Sequence, residues 1–334
     1  MHIYKKILVV GIIIIFSHLL YKLIQTRRKI MVKKLEPFTP NTISLQNTYP
    51  TTLTLRNYCI KSSLNSAYNG SKYSIDCDPS NPNNILKTVL NRGVRFLDFE
   101  IYSQGGLPIV GYSATYDPTS TQNDATNKPS DNFIQLNNVF QHILSAKPTT
   151  ITDPLFIQLR IKTQKTELYQ IIVNYINQLF KGALYSGKIT GETVLSDIVN
   201  KIIIVVDIQR SNASYNNSVL QNSGLVNLET RNNINVFTTK KLIESNVNRI
   251  NINNDGVTIT SNEKPPVWTL SYPDILDTKN PDIYTLMNQQ CPNIIQCRFD
   301  FDDPNLALYE TIFKNQAFVP LGSAYTIASK WTPP

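Results

Sequence analysis

Gly93-Val94-Arg95-Phe96-Leu97-Asp98-Phe99-Glu100-Ile101-Tyr102, followed by Gly105-Gly106-Leu107-Pro108-Ile109-Val110, is the stretch on which the fold turns. A strand's period of two puts Phe96, Asp98, Glu100 and Tyr102 on one face and Leu97, Phe99 and Ile101 on the other. The Gly105-Gly106 pair then makes a tight turn into a second short strand. An Asp-x-Glu pair on a strand is common and most often means one carboxylate paired with a cation from a neighbouring strand. On a barrel strand both carboxylates would point into the mouth, and hard cations are held by such oxygen clusters.

Outward from this stretch, strand and helix signals alternate. Strands are expected at 58–63, 96–102, 155–161, 201–207, 234–237, 257–260, 267–271 and 294–299. Helices are expected at 83–92, 131–145, 166–180, 282–290 and 306–314. The helix over 166–180 is the clearest, because Leu168, Ile171, Ile172, Tyr175, Ile176, Leu179 and Phe180 recur at spacings of three and four. Residues 202–206, Ile-Ile-Ile-Val-Val, have the composition of a parallel strand buried on both sides. The Asn-rich segment 211–265 is weakly patterned and reads mainly as loops. Alternation over about 280 residues predicts an α/β fold, a single (β/α) TIM-type barrel rather than two domains.

The motifs on these elements resemble those of phosphatidylinositol-specific phospholipases C, of the PLC-like phosphodiesterase superfamily. In that family the first strand ends Ser-Ser-His-Asn-Thr-Tyr, and here Lys61-Ser62-Ser63-Leu64-Asn65-Ser66 stands in its place. The second strand carries Gly-x-Arg-x-x-acid-x-acid, matched by Gly93, Arg95, Asp98 and Glu100. A Pro-x-x-Tyr-His-Gly follows there, against Pro108-Ile109-Val110-Gly111-Tyr112-Ser113 here. The third strand's Ser-Leu-Glu-Asn becomes Gln158-Leu159-Arg160-Ile161. The resemblance runs over residues 50–325 and is weak between 210 and 290.

It implies a reaction in which one His is general base on the inositol 2-hydroxyl and another is general acid, with a calcium ion on the phosphate. Leu64 and Tyr112 occupy the two His positions, so no catalytic pair is intact. Leu cannot carry a proton, and Tyr, with a reference pKa near 10, is a poor base at neutral pH. The chain's three His are His2, His18 and His142, the last expected on the surface of an outer helix. Asn65, Asp98 and Glu100 keep three of four metal-ligand positions, as a vestigial set, and Arg160 replaces the fourth. A guanidinium at about 4–5 Å repels a divalent ion by several kcal/mol. Arg160 is therefore expected to hold Asp98 and Glu100 itself, without a cofactor. Lys61, Ser62, Asn65, Arg160 and Tyr112 would line an anion pocket.

The resemblance then implies a phospholipase C-like barrel, residues 51–325, that has lost hydrolysis and acts by binding a phospholipid head group or a partner protein. An active phosphoric diester hydrolase with altered groups, using Ca2+, is one alternative. A structural membrane protein is another.

The net charge of +8 is concentrated at one end. Residues 1–34 hold eight cations and no acid, and the remaining 300 residues carry 24 Lys and Arg against 24 Asp and Glu. A nucleic-acid-binding stripe would need that excess on the folded domain, so the charge argues against nucleic acid. The cations flank an apolar run, 7–24, that reads as a single-pass signal-anchor, with 35–50 as linker. Lys22 can snorkel to lengthen the span. A cleaved signal peptide is the rival, but no small-residue cleavage site follows. The denser cations after the run place the barrel on the cytosolic side. There the four Cys stay reduced, and their spacings are not those of a metal knuckle. About one residue in nine is Asn, the bias of an AT-rich coding sequence such as a large DNA virus or AT-rich microbe carries.

Overall fold

The computed structural model describes His18, Tyr21 and Lys22, and residues 53–69, 75–78, 80–81, 84–112, 132–146, 152–230, 234–245, 250–253, 256–259, 268–273, 279–299, 303, 305–314 and 316–332. The chain divides into two compact units, Met1–Pro37 and Phe38–Pro334. In the first, His18, Tyr21 and Lys22 are helical and exposed. The rest of the candidate span, and the linker, lie outside the described residues. Among the described residues no helix is long and apolar enough to cross a membrane.

In the second unit eight parallel strands form a nearly closed barrel. They are β1 (Tyr58–Ser63), β2 (Phe96–Gln104), β3 (Leu155–Ile161), β4 (Ile202–Val206), β5 (Leu228–Glu229), β6 (Ile234–Thr238), β7 (Trp268–Tyr272) and β8 (Ile294–Cys297). Their order is β5-β4-β3-β2-β1-β8-β7-β6, and the ends of this path, β5 and β6, flank a seam. The outer layer contains α1 (Ile85–Asn91), α2 (Leu136–Ala146), α3 (Glu167–Phe180), α4 (Val219–Asn222), α5 (Thr239–Glu244), α6 (Ile283–Gln289), α7 (Asn305–Ile312) and α8 (Leu321–Ser329). Several helices start at side-chain caps. Asn84 accepts from the Lys87 amide before α1, and Asp282 from the Thr285 amide before α6; each such cap is worth about 1 kcal/mol.

Strand alternation divides the apolar residues into two cores. Tyr58, Ile60, Phe96, Phe156, Trp268 and Ile294 fill the barrel's lower interior. Phe96 stacks on Phe156 with centroids 5.6 Å apart, and the Trp268 ring meets Phe156 edge-on at 6.3 Å. Cys59, Leu97, Phe99, Ile101, Leu159 and Ile204 face outward into the larger core beneath the helices. Each fully buried large apolar side chain contributes ~1.5–3 kcal/mol, so the strands are fixed from both sides.

β2 continues into a two-residue hairpin. Gln104 pairs with Leu107 across Gly105 and Gly106, whose φ values of 58° and 75° need glycine. The returning strand Leu107–Gly111 carries Tyr112 back beside β2.

Several expectations are corrected. The helix expected from 131 starts at Leu136, because Ile134–Gln135 pairs as a strand with Ile109 and Val110 and leaves Phe133 exposed. His142 on α2 is buried rather than on the surface, since its Nε2 meets the Asn84 side chain 3.2 Å away. The 211–265 segment contains α4, β5, α5 and a hairpin of Ile250–Asn253 with Gly256–Ile259. Phe318–Pro320 adds a short strand that pairs antiparallel with the lower half of β1.

Candidate functional site at the barrel mouth

Parallel pairing of β2 with β3 sets Phe96 beside Phe156, Asp98 beside Gln158 and Glu100 beside Arg160. The inward residues thus rise from an apolar floor through a neutral-acidic layer to an ion-paired one. Arg160 binds Asp98 through two bonds, Nε to Oδ1 at 2.8 Å and Nη2 to Oδ2 at 2.6 Å. Its Nη1 donates to Glu100 Oε1 and its Nη2 also to Asn65 Oδ1. This is the fork geometry in which a guanidinium is strongest. The expectation that Arg160 would hold both carboxylates is met.

The acceptors are held from behind as well. Asn65 follows β1 in the left-handed region, φ 47°, which Asn tolerates better than most residues. That turn lets its amide donate to Asp98 Oδ2 at 2.9 Å. Gln158 Nε2 donates to Asp98 Oδ1 at 3.0 Å, and the Tyr102 hydroxyl to Glu100 Oε2 at 2.8 Å. The Ser66 hydroxyl accepts from the Asp98 amide, and the Asp98 carbonyl accepts from the Ser66 amide. Arg160 is 3% exposed and Asp98 wholly buried. Burial opposes the guanidinium's charge, but Asp98 and Glu100 outweigh it and hold its pKa above the usual arginine value.

A calcium ion, as the resemblance implies, does not fit this set. Both Asp98 oxygens, Glu100 Oε1 and Asn65 Oδ1 already face one guanidinium. Among the described residues no group of three or more His, Cys, Asp or Glu side chains is placed to hold a metal.

Of the expected residues Lys61 lies elsewhere, and Ser62 is engaged by the neighbouring strand. Lys61 is on the outer face of β1, where its Nζ donates to Glu310 Oε2 at 2.8 Å and to the Arg92 carbonyl at 2.6 Å. The Ser62 hydroxyl is spent on the Ile295 carbonyl at 2.6 Å. Leu64 is buried, and its amide extends the β1–β8 ladder by donating to the Cys297 carbonyl. Tyr112 does reach the mouth. Its ring stacks on Tyr68 at 5.0 Å, and its hydroxyl accepts from Arg298 Nη2 at 3.3 Å.

The structure adds mouth residues that sequence reading missed. Asp207, just after β4, pairs with Arg210 Nε and accepts from the Thr230 hydroxyl at 3.0 Å. Arg210 reaches across to Gln296 Oε1 on β8 at 3.0 Å and lies 4.0 Å above the Tyr272 ring of β7. It therefore spans the side of the barrel where β5 and β6 flank the seam. Burial holds the Asp207 carboxyl up, but Arg210 and Arg160 outweigh it and leave its pKa below the usual value. Lys162, one residue beyond β3, donates to the Arg210 carbonyl, and burial pushes its pKa down to about 8 despite the attraction of Glu100. Asp207 is one polar residue at the end of an apolar run, the only signal the sequence offers for it.

No protein-family model matches the chain, and no curated protein matches it in sequence. Solved structures do match. PLC21 of L. pealei superposes with a TM-score of 0.57 at 15% identity, over 83% of this chain and 37% of that one. PLC21 of S. officinalis gives 0.57 at 14% identity, over 86% and 39%. This chain thus spans less than two-fifths of the length of either. A variant of the phosphatidylinositol-specific phospholipase C from Staphylococcus aureus aligns over 89% of this chain and 97% of its own, at 9% identity and a TM-score of 0.49. At such identities the likeness is one of architecture: the chain shares its barrel fold with the PLC21 structures.

Proposed function

We propose that the chain is a membrane-anchored barrel that binds an anionic phospholipid head group at its mouth without hydrolysing it. The observation that carries the reading is the composition of that mouth. Arg160 and Arg210 pair with Asp98, Glu100 and Asp207, and two further cations join them, Lys162 on the Arg210 carbonyl and Arg298 on the Tyr112 hydroxyl. No imidazole is among them, since His142 sits behind the barrel wall at Asn84. Tyr112 and Arg298 can orient a phosphate, but neither is suited to move a proton at neutral pH. The eight cations of residues 1–34 would favour an anionic leaflet, each worth about 1 kcal/mol near the surface.

The test uses the full chain in liposomes of phosphatidylcholine with and without phosphatidylinositol. Head-group binding predicts protection of Arg298 and Lys162 from chemical modification only when phosphatidylinositol is present, with no release of water-soluble phosphate. Equal protection in both lipids would sink the reading.

One observation favours a second reading. Lys162, with a pKa near 8, could exchange a proton near neutral pH, which suits a hydrolase with altered groups. Turnover abolished by Lys162→Met would establish it.

A further inference from the structure

Gln158 and Gln296 carry amides into the barrel interior from strands that do not pair. On β3 Gln158 follows the parity of Phe156, and on β8 Gln296 follows that of Ile294, and both of those lie in the interior core. β2 and β1 stand between the two strands. Both glutamines are wholly buried.

Charged partners fix which way each amide points. Gln158 Nε2 donates to Asp98 Oδ1 at 3.0 Å and reaches Asp207 Oδ2 at 3.5 Å. Turning that amide over would set an oxygen against two carboxylates. Gln296 Oε1 accepts from Arg210 Nη2 at 3.0 Å, and turning it over would set an NH2 group against a guanidinium. Arg210 Nε in turn pairs with Asp207 Oδ2. Gln158, Asp207, Arg210 and Gln296 thus form one chain across the interior. The remaining amide atoms at its two ends are complementary. Among the described residues Gln158 Oε1 accepts from no donor and Gln296 Nε2 donates to no acceptor. Amide atoms left unpaired at such depth are costly.

We infer that a single buried water closes this chain into a ring, accepting from Gln296 Nε2 and donating to Gln158 Oε1. The two ends select for such a molecule. A cation is repelled by the Gln296 N–H and an anion by the Gln158 oxygen, whereas a water gives one hydrogen bond and takes another. Through Asp98 the ring joins the Arg160 cluster to the Arg210 side of the barrel. The inference stands on the two amides and is independent of head-group binding.

The experiment counts long-lived internal waters in the full chain by oxygen-17 relaxation dispersion, for the unaltered protein, Gln158→Met, Gln296→Met and the double variant. Methionine keeps the length of the side chain and removes its amide. Each single variant should hold one water fewer than the unaltered chain. The double variant should also hold one fewer, because both amides bind the same molecule. Any other count overturns the inference. Where a variant does not fold, a crystal structure of the unaltered chain decides. A water at about 2.7–3.2 Å from both amide atoms is expected. A direct bond from Gln296 Nε2 to Gln158 Oε1, or no water shared by the two, would overturn it.

Discussion

The Tyr309 hydroxyl stands in the hydrogen-bond ladder between β1 and β8, accepting from the Ser62 amide at 2.7 Å and lying 3.0 Å from the Ile295 carbonyl. On either side the ladder runs directly, from the Ile60 amide to the Asn293 carbonyl and from the Leu64 amide to the Cys297 carbonyl. A side chain of α7 thus completes the backbone pairing at the point where β1 turns toward Asn65.

Removing that hydroxyl leaves a buried amide without its acceptor. Tyr309→Phe should destabilise the barrel by about 1–3 kcal/mol, the cost of an unsatisfied buried donor. Hydrogen exchange should accelerate at the Ser62 amide more than at the Leu64 amide. Uniform acceleration across β1 would mean that the hydroxyl serves only general packing.

The Arg160 cluster predicts an asymmetry between its members. Arg160→Met strands two buried carboxylates and should cost about 3–5 kcal/mol, as when one partner of a buried pair is lost. Adding Asp98→Asn and Glu100→Gln to that variant should recover part of the loss, because neutral amides need no counter-charge. Denaturant unfolding of the single and triple variants measures this. A triple variant less stable than Arg160→Met would contradict the electrostatic account.

Asp98, Glu100 and Arg160 were legible because both strands have a clear apolar face, so parity alone puts the polar residues together. β1 lacks that contrast. Tyr-Cys-Ile-Lys-Ser-Ser is buried along its whole length, and alternation cannot say which face is inside until pairing with Ile294–Cys297 decides it. Local sequence therefore leaves Lys61 open to the mouth, whereas it faces Glu310. His142 escapes local reading for a related reason, since the stripe of Leu136, Phe140 and Ile143 marks the face on the barrel but not the flank that α1 and its cap Asn84 cover. Asp207, Arg210, Gln296 and Arg298 converge only through barrel closure. No local pattern encodes a contact between residues some 90 positions apart.

Lys162 gives the pH dependence with a definite sign. Its pKa falls from about 10.5 unfolded to about 8 in the fold, because burial disfavours the charge more than Glu100 restores it. Between those values the unfolded chain binds the extra proton, so this group makes stability rise as pH increases from about 8 to about 10.5. The slope is at most one proton, ~1.4 kcal/mol per pH unit. Below pH 8 both states are charged and the dependence vanishes. Lys162→Met removes the titrating group, so the stability difference between it and the unaltered chain should be flat from pH 6 to 7.5 and change steadily above 8. Denaturant midpoints across that range decide it, and a difference that stays flat to pH 10 would show that Lys162 keeps its charge in the fold.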